Sequence, residues 1–342
     1  MRQLVYQEPS RVGWEEAPDP DPPPGAALLC PLAVARCDLD PLMAAFGVFP
    51  GPYPVGHEVM GEVVAVGDGV AAHAPGDRVV VPFQVSCGGC DACHGGRFAA
   101  CRPHRAPAGA AFGFGPAGGG HGGAVADLLV VPAADHLLHP APANLEPTAL
   151  AVLPDNVLDA YRAVGPPLAA TPGADVLVVG GAAPSIGLYA VQLAAALGAG
   201  AVAYADTDAG RCAQAERLGA STVHHVEGPW PKGFDRALIT VENTADADGI
   251  ACTLRSTDDY GTCTPVAIHF GAGVALPLLA MYTRGVTLRM GRADSRRYLG
   301  EVLSLAAAGR FDPLGIETTV APFDEAADRW LAEPQTKLVL VR

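Results

Sequence analysis

The chain has 342 residues and a mass of 34.9 kDa, about twice the length of a common single domain, which favours two domains. Half of the residues are hydrophobic, enough for a sizeable core and too many for a disordered protein. The formal net charge of −14 would repel a phosphate backbone, and this argues against nucleic-acid binding.

The sequence carries no pattern typical of export or membrane insertion. The N-terminal residues lack an apolar signal segment, and the uncharged stretch 176–205 has glycines and a proline near its start, which would break a membrane helix. We therefore expect a cytoplasmic protein that does not contact a membrane. Four of the nine cysteines lie between residues 87 and 101, and clustered thiols in a reducing compartment more often bind metal than form disulfides.

Two patterns of secondary structure divide the chain. Residues 1–155 are rich in glycine and proline, and short apolar runs at 27–30, 59–66 and 79–81 predict a small, irregular β domain. From residue 175, strands alternate with helices, which predicts an α/β fold with a parallel sheet. The predicted elements are strands 176–179, 201–205, 236–241 and 262–266, helices 186–197 and 211–218, and then helix 298–307 and strand 337–341.

A loop at 87–101 contains four cysteines with the spacing Cys-x2-Cys-x2-Cys-x7-Cys. Four thiolates complete the tetrahedron that zinc prefers and leave no open position for chemistry. The glycines between them allow the backbone to wrap closely around an ion. The spacing predicts a structural zinc ion rather than unrelated buried thiols, with these ligands: Cys87, Cys90, Cys93 and Cys101.

A second group of metal-ligand residue types consists of Cys37, His57 and Glu58. A thiolate, an imidazole and a carboxylate are ligands typical of a catalytic zinc ion that keeps one position open. Taken singly, Cys37 could be a small core residue and His57 a structural one. Their interpretation therefore depends on the surrounding motifs.

Those motifs resemble the zinc-containing medium-chain alcohol dehydrogenases. The string Gly-His-Glu-x2-Gly-x5-Gly-x2-Val at 56–70 lies between Cys37 and the cysteine loop, and the segments 31–40 and 153–164 are most similar to the bacterial secondary-alcohol dehydrogenase branch. The resemblance extends nearly end to end. It implies a β-rich, GroES-like catalytic domain at 1–155 and 295–342, a Rossmann domain at 156–294, and assembly into a homodimer or homotetramer.

The resemblance also implies roles for individual residues. Cys37 and His57 match zinc ligands, and Glu58 matches a carboxylate that binds the metal in some states and lies beside it in others. Asp155 matches the remaining protein ligand, although an Asp there could instead cap a helix. Asp40 matches the acid that accepts a hydrogen bond from the ligand histidine; the alternative is a solvated loop residue.

A nucleotide site is predicted where the first strand of the second part ends. Gly180 and Gly181 form a tight turn before a helix that begins near Ser185, Ile186 and Gly187. This arrangement aims backbone N–H groups and the helix dipole at a pyrophosphate. The glycine spacing is one residue longer than in a strict Gly-x-Gly-x2-Gly motif.

Asp206 predicts the identity of the nucleotide. It ends the second strand, where a carboxylate can bind both ribose hydroxyls and repel a 2′-phosphate. NAD is therefore expected in preference to NADP, although the related secondary-alcohol dehydrogenases often use NADP; a turn-capping Asp is the alternative. Arg211 is expected along the adenosine and Arg292 near the nicotinamide.

The sequence departs from the family at the proton relay. Leu39 stands where the family usually has Ser or Thr, and Leu42 stands at the position of a relay histidine. Leucine neither donates nor accepts a proton, so three functions remain open: alcohol–carbonyl interconversion with another proton exit, reduction of a C=C or C=N bond, and non-catalytic nucleotide binding.

Retention of all four candidate ligands favours the first, a zinc-dependent exchange of hydride between NAD and a small alcohol, aldehyde or ketone. By analogy with the family, Leu39, Leu42 and Phe83 would face the substrate, and this favours an apolar one.

Overall fold

The computed structural model describes residues 1–270, 273–332 and 337–342. Contacts between residues divide the chain into two compact units. Unit 1 comprises Met1–Leu158 and Ala293–Arg342, and unit 2 comprises Asp159–Arg292. No helix in the described part of the chain is both long enough and apolar enough to cross a bilayer.

The strands alternate with turns through unit 1 and with helices through unit 2. In chain order they are β1 (Arg2–Glu8), β2 (Arg11–Glu16), β3 (Ala27–Ala35), β4 (Tyr53–Pro54), β5 (Glu58–Val66), β6 (Arg78–Val81), β7 (Leu129–Val131), β8 (His139–Pro140), β9 (Val176–Val179), β10 (Val202–Asp206), β11 (Thr222–His225), β12 (Ala237–Glu242), β13 (Thr257–Pro265), β14 (Thr287–Leu288), β15 (Thr318–Pro322) and β16 (Lys337–Val341).

Apart from the helix Ser295–Ala307, the α-helices of unit 1 are short, and those of unit 2 are longer. They are α1 (Asp40–Ala45), α2 (Asp91–His94), α3 (Ala134–Leu137), α4 (Pro147–Ala151), α5 (Leu158–Ala170), α6 (Pro184–Ala196), α7 (Ala209–Arg217), α8 (Ala247–Arg255), α9 (Leu278–Arg284), α10 (Ser295–Ala307) and α11 (Ala326–Arg329). A π-helical turn at Leu153–Val157 leads into α5, and 3₁₀ turns occupy Phe98–Ala100, Gly115–Gly118 and Phe323–Glu325.

Unit 1 is built on a sheet with the order β15-β16-β3-β5-β6-β8, in which β7 also pairs with β3. A smaller sheet has the order β2-β1-β4. Inward side chains of both sheets, such as Leu29, form one apolar core with Phe112 and Trp330 from the segments between the strands. This core is the frame on which the first candidate site is assembled.

Three strands bring distant parts of the chain to the same end of the larger sheet. Ala35, at the end of β3, pairs with Glu58 at the start of β5 and with Val339 of β16. Because both pairings are antiparallel, the residues just after β3 lie beside the first residues of β5 and β16. The ends of these strands therefore position Cys37, Glu58 and Lys337 as neighbours.

Unit 2 is a parallel sheet with the order β11-β10-β9-β12-β13-β14. Every residue of β9 is buried, as expected for a central strand with helices on both faces. The order reverses between β9 and β12, the arrangement of a doubly wound Rossmann sheet. The α/β class and the parallel sheet predicted from the sequence are confirmed.

Several details differ from the sequence-based prediction. Strand β3 continues to Ala35 instead of ending near residue 30, and α6 begins at Pro184 instead of residue 186. Proline is well tolerated in the first turn of a helix, because its missing N–H has no partner there. Strands β11 and β14 were not predicted, since they are short and partly exposed edge strands with little apolar character.

Candidate metal centres and nucleotide site

Four side chains of metal-ligand type meet in unit 1. Sγ of Cys37, a ring nitrogen of His57 and one carboxylate oxygen each from Glu58 and Asp155 all lie within 4.8 Å of one another. His57 Nε2 and Asp155 Oδ2 are 3.1 Å apart. All four side chains are buried. The structure thus brings together the residues that the sequence predicted for a catalytic metal.

Asp155 lies inside the π-helical turn and does not cap a helix. The next residue, Asn156, braces the cluster: its Nδ2 donates to Cys37 Sγ at 3.4 Å, and its Oδ1 accepts from the backbone N–H of Asp38 at 3.4 Å and from the ammonium of Lys337. Single π-helical turns within α-helices are frequent at functional sites. Here the turn presents two consecutive polar side chains to the cluster.

Asp40 lies at the start of α1, beside His57. One of its oxygens accepts the backbone N–H of Cys37 at 3.3 Å. The other is 3.8 Å from His57 Nδ1, which is longer than a hydrogen bond. The expected hydrogen bond is therefore not formed, and Asp40 acts on the histidine through its charge. Its side chain is only 11% exposed, so it is not a solvated loop residue.

The cluster contains more acidic groups than basic ones. Burial raises the pKa of Cys37 well above its ordinary value, and the charges of Asp155, Asp40 and Glu58 raise it further. Burial also raises the pKa of Glu58, to about 8, against the opposing effect of Lys337. For His57, burial lowers the pKa, but the neighbouring carboxylates outweigh it and the value rises to about 9.

A divalent cation fits this environment. Within the described residues, His57 Nδ1 and Glu58 Oε2 are buried polar atoms without a hydrogen-bond partner. One sulfur, one imidazole nitrogen and carboxylate oxygens are a donor set that zinc accepts, and a bound cation would favour the deprotonated forms of these ligands. The residues present therefore fit zinc.

Lys337 was missed by the sequence analysis. Its ammonium lies 2.6 Å from Glu58 Oε1, and both side chains have no exposed surface. A buried lysine requires such a partner, because desolvation of an unpaired charge is costly. The signal was present in the sequence: Lys337 is one of only two lysines in the chain and opens an otherwise apolar strand.

Aromatic rings surround the histidine of the cluster. The ring centroid of His57 is 5.4 Å from that of Phe83 and 5.2 Å from that of Phe114, and Phe49 lies 5.3 Å from Phe114. Phe83 was expected there, whereas Phe114 and Phe49 were not. Their surroundings give the site an apolar wall next to its charged groups.

The four cysteines of the 87–101 loop also converge. Their sulfur atoms all lie within 4.8 Å of one another. The backbone N–H of Cys87 donates to Cys101 Sγ at 3.3 Å, and Cys90 Sγ is 3.6 Å from Cys93 Sγ. Backbone hydrogen bonds from Arg102 and Cys93 lower the pKa of Cys90 to about 6, whereas burial raises the pKa of Cys93 and Cys101, so a bound cation would be needed to hold all the thiols as thiolates. The geometry fits a closed zinc site.

The glycine turn of unit 2 packs against the end of β12. A Cβ atom at Gly180 would lie 2.6 Å from the backbone oxygen of Asn243, and one at Gly181 would overlap Asp206. The backbone N–H of Ala183 donates to Asn243 Oδ1 at 3.0 Å. Only glycine fits these two positions, and the turn leads straight into the first turn of α6, which contains Ser185, Ile186 and Gly187.

Asp206 is buried at the end of β10 and is tightly held. The Arg211 guanidinium donates to both of its oxygens, at 2.7 and 2.8 Å, and the Tyr204 hydroxyl donates at 2.5 Å. Burial alone would raise the pKa of Asp206, but the Arg211 and Tyr204 hydrogen bonds outweigh this effect and lower it. Asp206 also caps the turn before α7, because its Oδ1 accepts the backbone N–H of Asp208 at 3.0 Å, whereas the N-cap of α7 itself is Asp208.

The two expected arginines differ in their surroundings. Arg211 forms the ion pair with Asp206, so its guanidinium is next to the predicted ribose-binding carboxylate. Arg292 is exposed and follows β14. Tyr204 was missed by the sequence analysis, because its hydroxyl becomes informative only once its contact with Asp206 is known.

We expect Lys337→Met to destabilise the protein by about 3 kcal/mol, because it leaves the buried Glu58 carboxylate without its cation. Lys232→Met is the matched control: Lys232 is the other lysine of the chain and is exposed, so the change should stay within about 0.5 kcal/mol. The free energy of unfolding in urea measures both. Equal values for the two variants would contradict the structural role of Lys337.

Comparison with known proteins gives a consistent result. Residues 23–143 match the model of the alcohol dehydrogenase GroES-like domain. A probable zinc-binding alcohol dehydrogenase of Mycobacterium tuberculosis is 30% identical over 340 residues, which cover 96% of this chain and 84% of that protein.

Two solved structures are also similar over the full chain. The alcohol dehydrogenase TADH of Thermus sp. ATN1 matches with a TM-score of 0.85 and 29% identity, and the match covers 100% of this chain and 99% of TADH. An NAD-dependent alcohol dehydrogenase has a TM-score of 0.82 and 27% identity, with 100% of both chains covered. The chain therefore belongs to the zinc-containing medium-chain alcohol dehydrogenase family of oxidoreductases.

Proposed function

We propose that the protein is a zinc-dependent dehydrogenase that transfers hydride between NAD and an apolar alcohol or the corresponding aldehyde or ketone. The observation that carries the proposal is the buried convergence of Cys37, His57, Glu58 and Asp155. A cluster this acidic is costly to bury without a cation, so its retention argues for a working metal site.

Zinc held by these residues would act as a Lewis acid that polarises an alcohol or carbonyl oxygen. The chain's own groups tune that site. The Asp40 carboxylate lies 3.8 Å from Nδ1 of His57, on the side of the ring away from Asp155, and Lys337 holds one oxygen of Glu58. The second oxygen of Glu58 is left without a hydrogen-bond partner among the described residues, and it is the oxygen that would be available to a metal.

The rings of Phe83 and Phe114 support an apolar substrate. Both lie against His57, and Phe83 is only 8% exposed. Aromatic side chains contribute apolar contact area and exclude water, whereas a sugar would need hydrogen-bonding groups in their place. The proposed substrate is therefore an alkyl or aryl alcohol rather than a polyol.

The nucleotide site of unit 2 supports NAD as the hydride acceptor. The turn at Gly180 and Gly181 approaches Asn243 and Asp206 closely and leads into the N-terminus of α6, whose dipole would favour a pyrophosphate; NAD would supply the hydride chemistry when bound. Asp206 remains ionised at the end of β10 and would accept the ribose hydroxyls of NAD in place of hydrogen bonds that it now receives from Arg211. The similar solved structure described as NAD-dependent is consistent with this choice.

A second candidate function is favoured by Leu39 and Leu42. Leu39 precedes α1 close to the cluster, and Leu42 is exposed, so neither position offers a proton donor. Reduction of a C=C or C=N bond would not need an alkoxide relay. The proposed alcohol oxidation instead requires that the proton leave through water or a nearby acid.

One experiment separates these functions. Zinc-loaded protein is assayed with NAD and a panel of apolar alcohols, and with NADH and the matching ketones, aldehydes, enones and imines. We expect alcohol oxidation and carbonyl reduction. Turnover of only the enones or imines would contradict the proposal and establish the second candidate.

Leu39→Ser completes this test. A hydroxyl at position 39 restores a proton donor and acceptor, and we expect the rate of alcohol oxidation at neutral pH to rise about tenfold, less than the roughly 100-fold or more of a fully positioned acid–base group. Leu39→Ala is the control, because it opens the same space without a hydroxyl. Equal rates for both variants would show that the wild-type proton already has another exit.

Asp206→Asn tests the choice of nucleotide. Loss of the charged acceptor should lower kcat/KM for NAD about tenfold and reduce the preference over NADP, because hydrogen bonds to charged groups are the stronger ones. Asp235→Asn, an exposed change in the same unit, should leave both values unchanged. Unaltered selectivity in Asp206→Asn would remove Asp206 from the cofactor site.

A further inference from the structure

A histidine–glutamate pair lies at the carboxyl edge of the parallel sheet. Glu242 is the last residue of β12 and has no exposed surface. Its Oε1 accepts the backbone N–H and the hydroxyl of Thr244, at 2.7 and 2.6 Å. Its Oε2 lies 2.9 Å from Nε2 of His269, which follows the end of β13. The carboxylate is thus fully engaged, and it fixes the orientation of the imidazole.

The pair is close to the glycine turn of the nucleotide site. Asn243, the residue after Glu242, accepts the backbone N–H of Ala182 at 2.8 Å and packs against Gly180. Glu242 in turn accepts the backbone N–H of Val266 at 2.8 Å. A continuous set of backbone contacts therefore connects the glycine turn, the end of β12 and the segment that carries His269.

The strands on either side of the reversal in strand order are expected to bind different halves of a dinucleotide. A doubly wound sheet binds a dinucleotide across the point where its strand order reverses, here between β9 and β12. Asp206 on β10 marks the adenosine side. The ends of β12 and β13 belong to the other side, where the second nucleotide half lies.

We propose that His269 binds the nicotinamide half of NAD and that Glu242 is its positioning residue. In the tautomer whose Nε2–H donates to Glu242, Nδ1 is the ring nitrogen that can accept a hydrogen bond. The nicotinamide half offers donors of matching chemistry in its ribose hydroxyls and carboxamide. The histidine side chain is 11% exposed, so part of the ring is accessible from the sheet edge. The inference rests on the proposed function, which supplies the ligand.

A purely structural role makes a different prediction. If the pair only braced the segment after β13, its loss would weaken the whole nucleotide site or none of it. If His269 contacts the nicotinamide half, its loss weakens the binding of NADH but not that of AMP, which occupies the adenosine side alone. Equilibrium binding measured by titration calorimetry separates the two cases without any catalysis.

Three variants of the full-length protein are compared with wild type. His269→Ala should weaken NADH binding about tenfold and leave AMP binding within about twofold, the scale of one lost hydrogen bond. His269→Asn keeps a polar group near the position of Nδ1 and should restore most of the affinity. His269→Gln keeps a partner for Glu242 but not the Nδ1 acceptor, and should bind NADH as weakly as His269→Ala.

The contrary outcomes are distinct. Equal weakening of NADH and AMP, unchanged binding of both, or rescue by His269→Gln instead of His269→Asn would overturn the role of His269. If wild type binds AMP and NADH and all three variants bind them equally well, this inference is overturned and the proposed function stands. Wild-type protein that binds no NADH would overturn both.

Discussion

The cost of burying acidic ligands around Cys37 is the constraint on which unit 1 depends. A thiol and three carboxyl groups share a small volume with one histidine and one lysine. Burial raises the pKa of Cys37 and raises that of Glu58 to about 8. Without a cation, these groups would therefore tend to be protonated, whereas metal ligands must be deprotonated. A zinc ion bound there would resolve this conflict, because it would favour the deprotonated ligands and replace the lost solvation.

The strand pairing in the larger sheet of unit 1 brings the residues of this cluster together. Residues 37, 58, 155 and 337 are far apart in the chain and meet because β3 pairs with both β5 and β16 and because the π-helical turn presents Asp155 and Asn156 together. Lys337 is the element that makes burial of Glu58 tolerable. An ion pair of this kind is retained where a specific arrangement of charges is needed, since well-packed apolar residues would otherwise be at least as stable.

Much of the site was predictable from the sequence, and the rest was not, for a physical reason. The cysteine loop and the glycine turn were predictable because their residues are close in the chain, and local spacing carries the geometry. Cys37, His57, Glu58 and Asp155 could be grouped only through the resemblance to a family. Lys337, Tyr204, Phe114 and the pairing of Glu242 with His269 depend on contacts between distant segments. Residue type alone could not predict those contacts. The hydrogen bond predicted between His57 and Asp40 is not formed, because the two atoms are 3.8 Å apart.

The central claim is that the buried cluster around Cys37 holds a zinc ion in addition to the one in the cysteine loop. Zinc content of the purified chain, measured by elemental mass spectrometry, tests it most directly. The account predicts two ions per wild-type chain, one in Cys37→Ser, and two in Cys252→Ser, whose cysteine is buried and belongs to neither cluster. A single ion per wild-type chain that Cys37→Ser retains would contradict the account, since the buried acidic cluster would then exist without the metal that explains it.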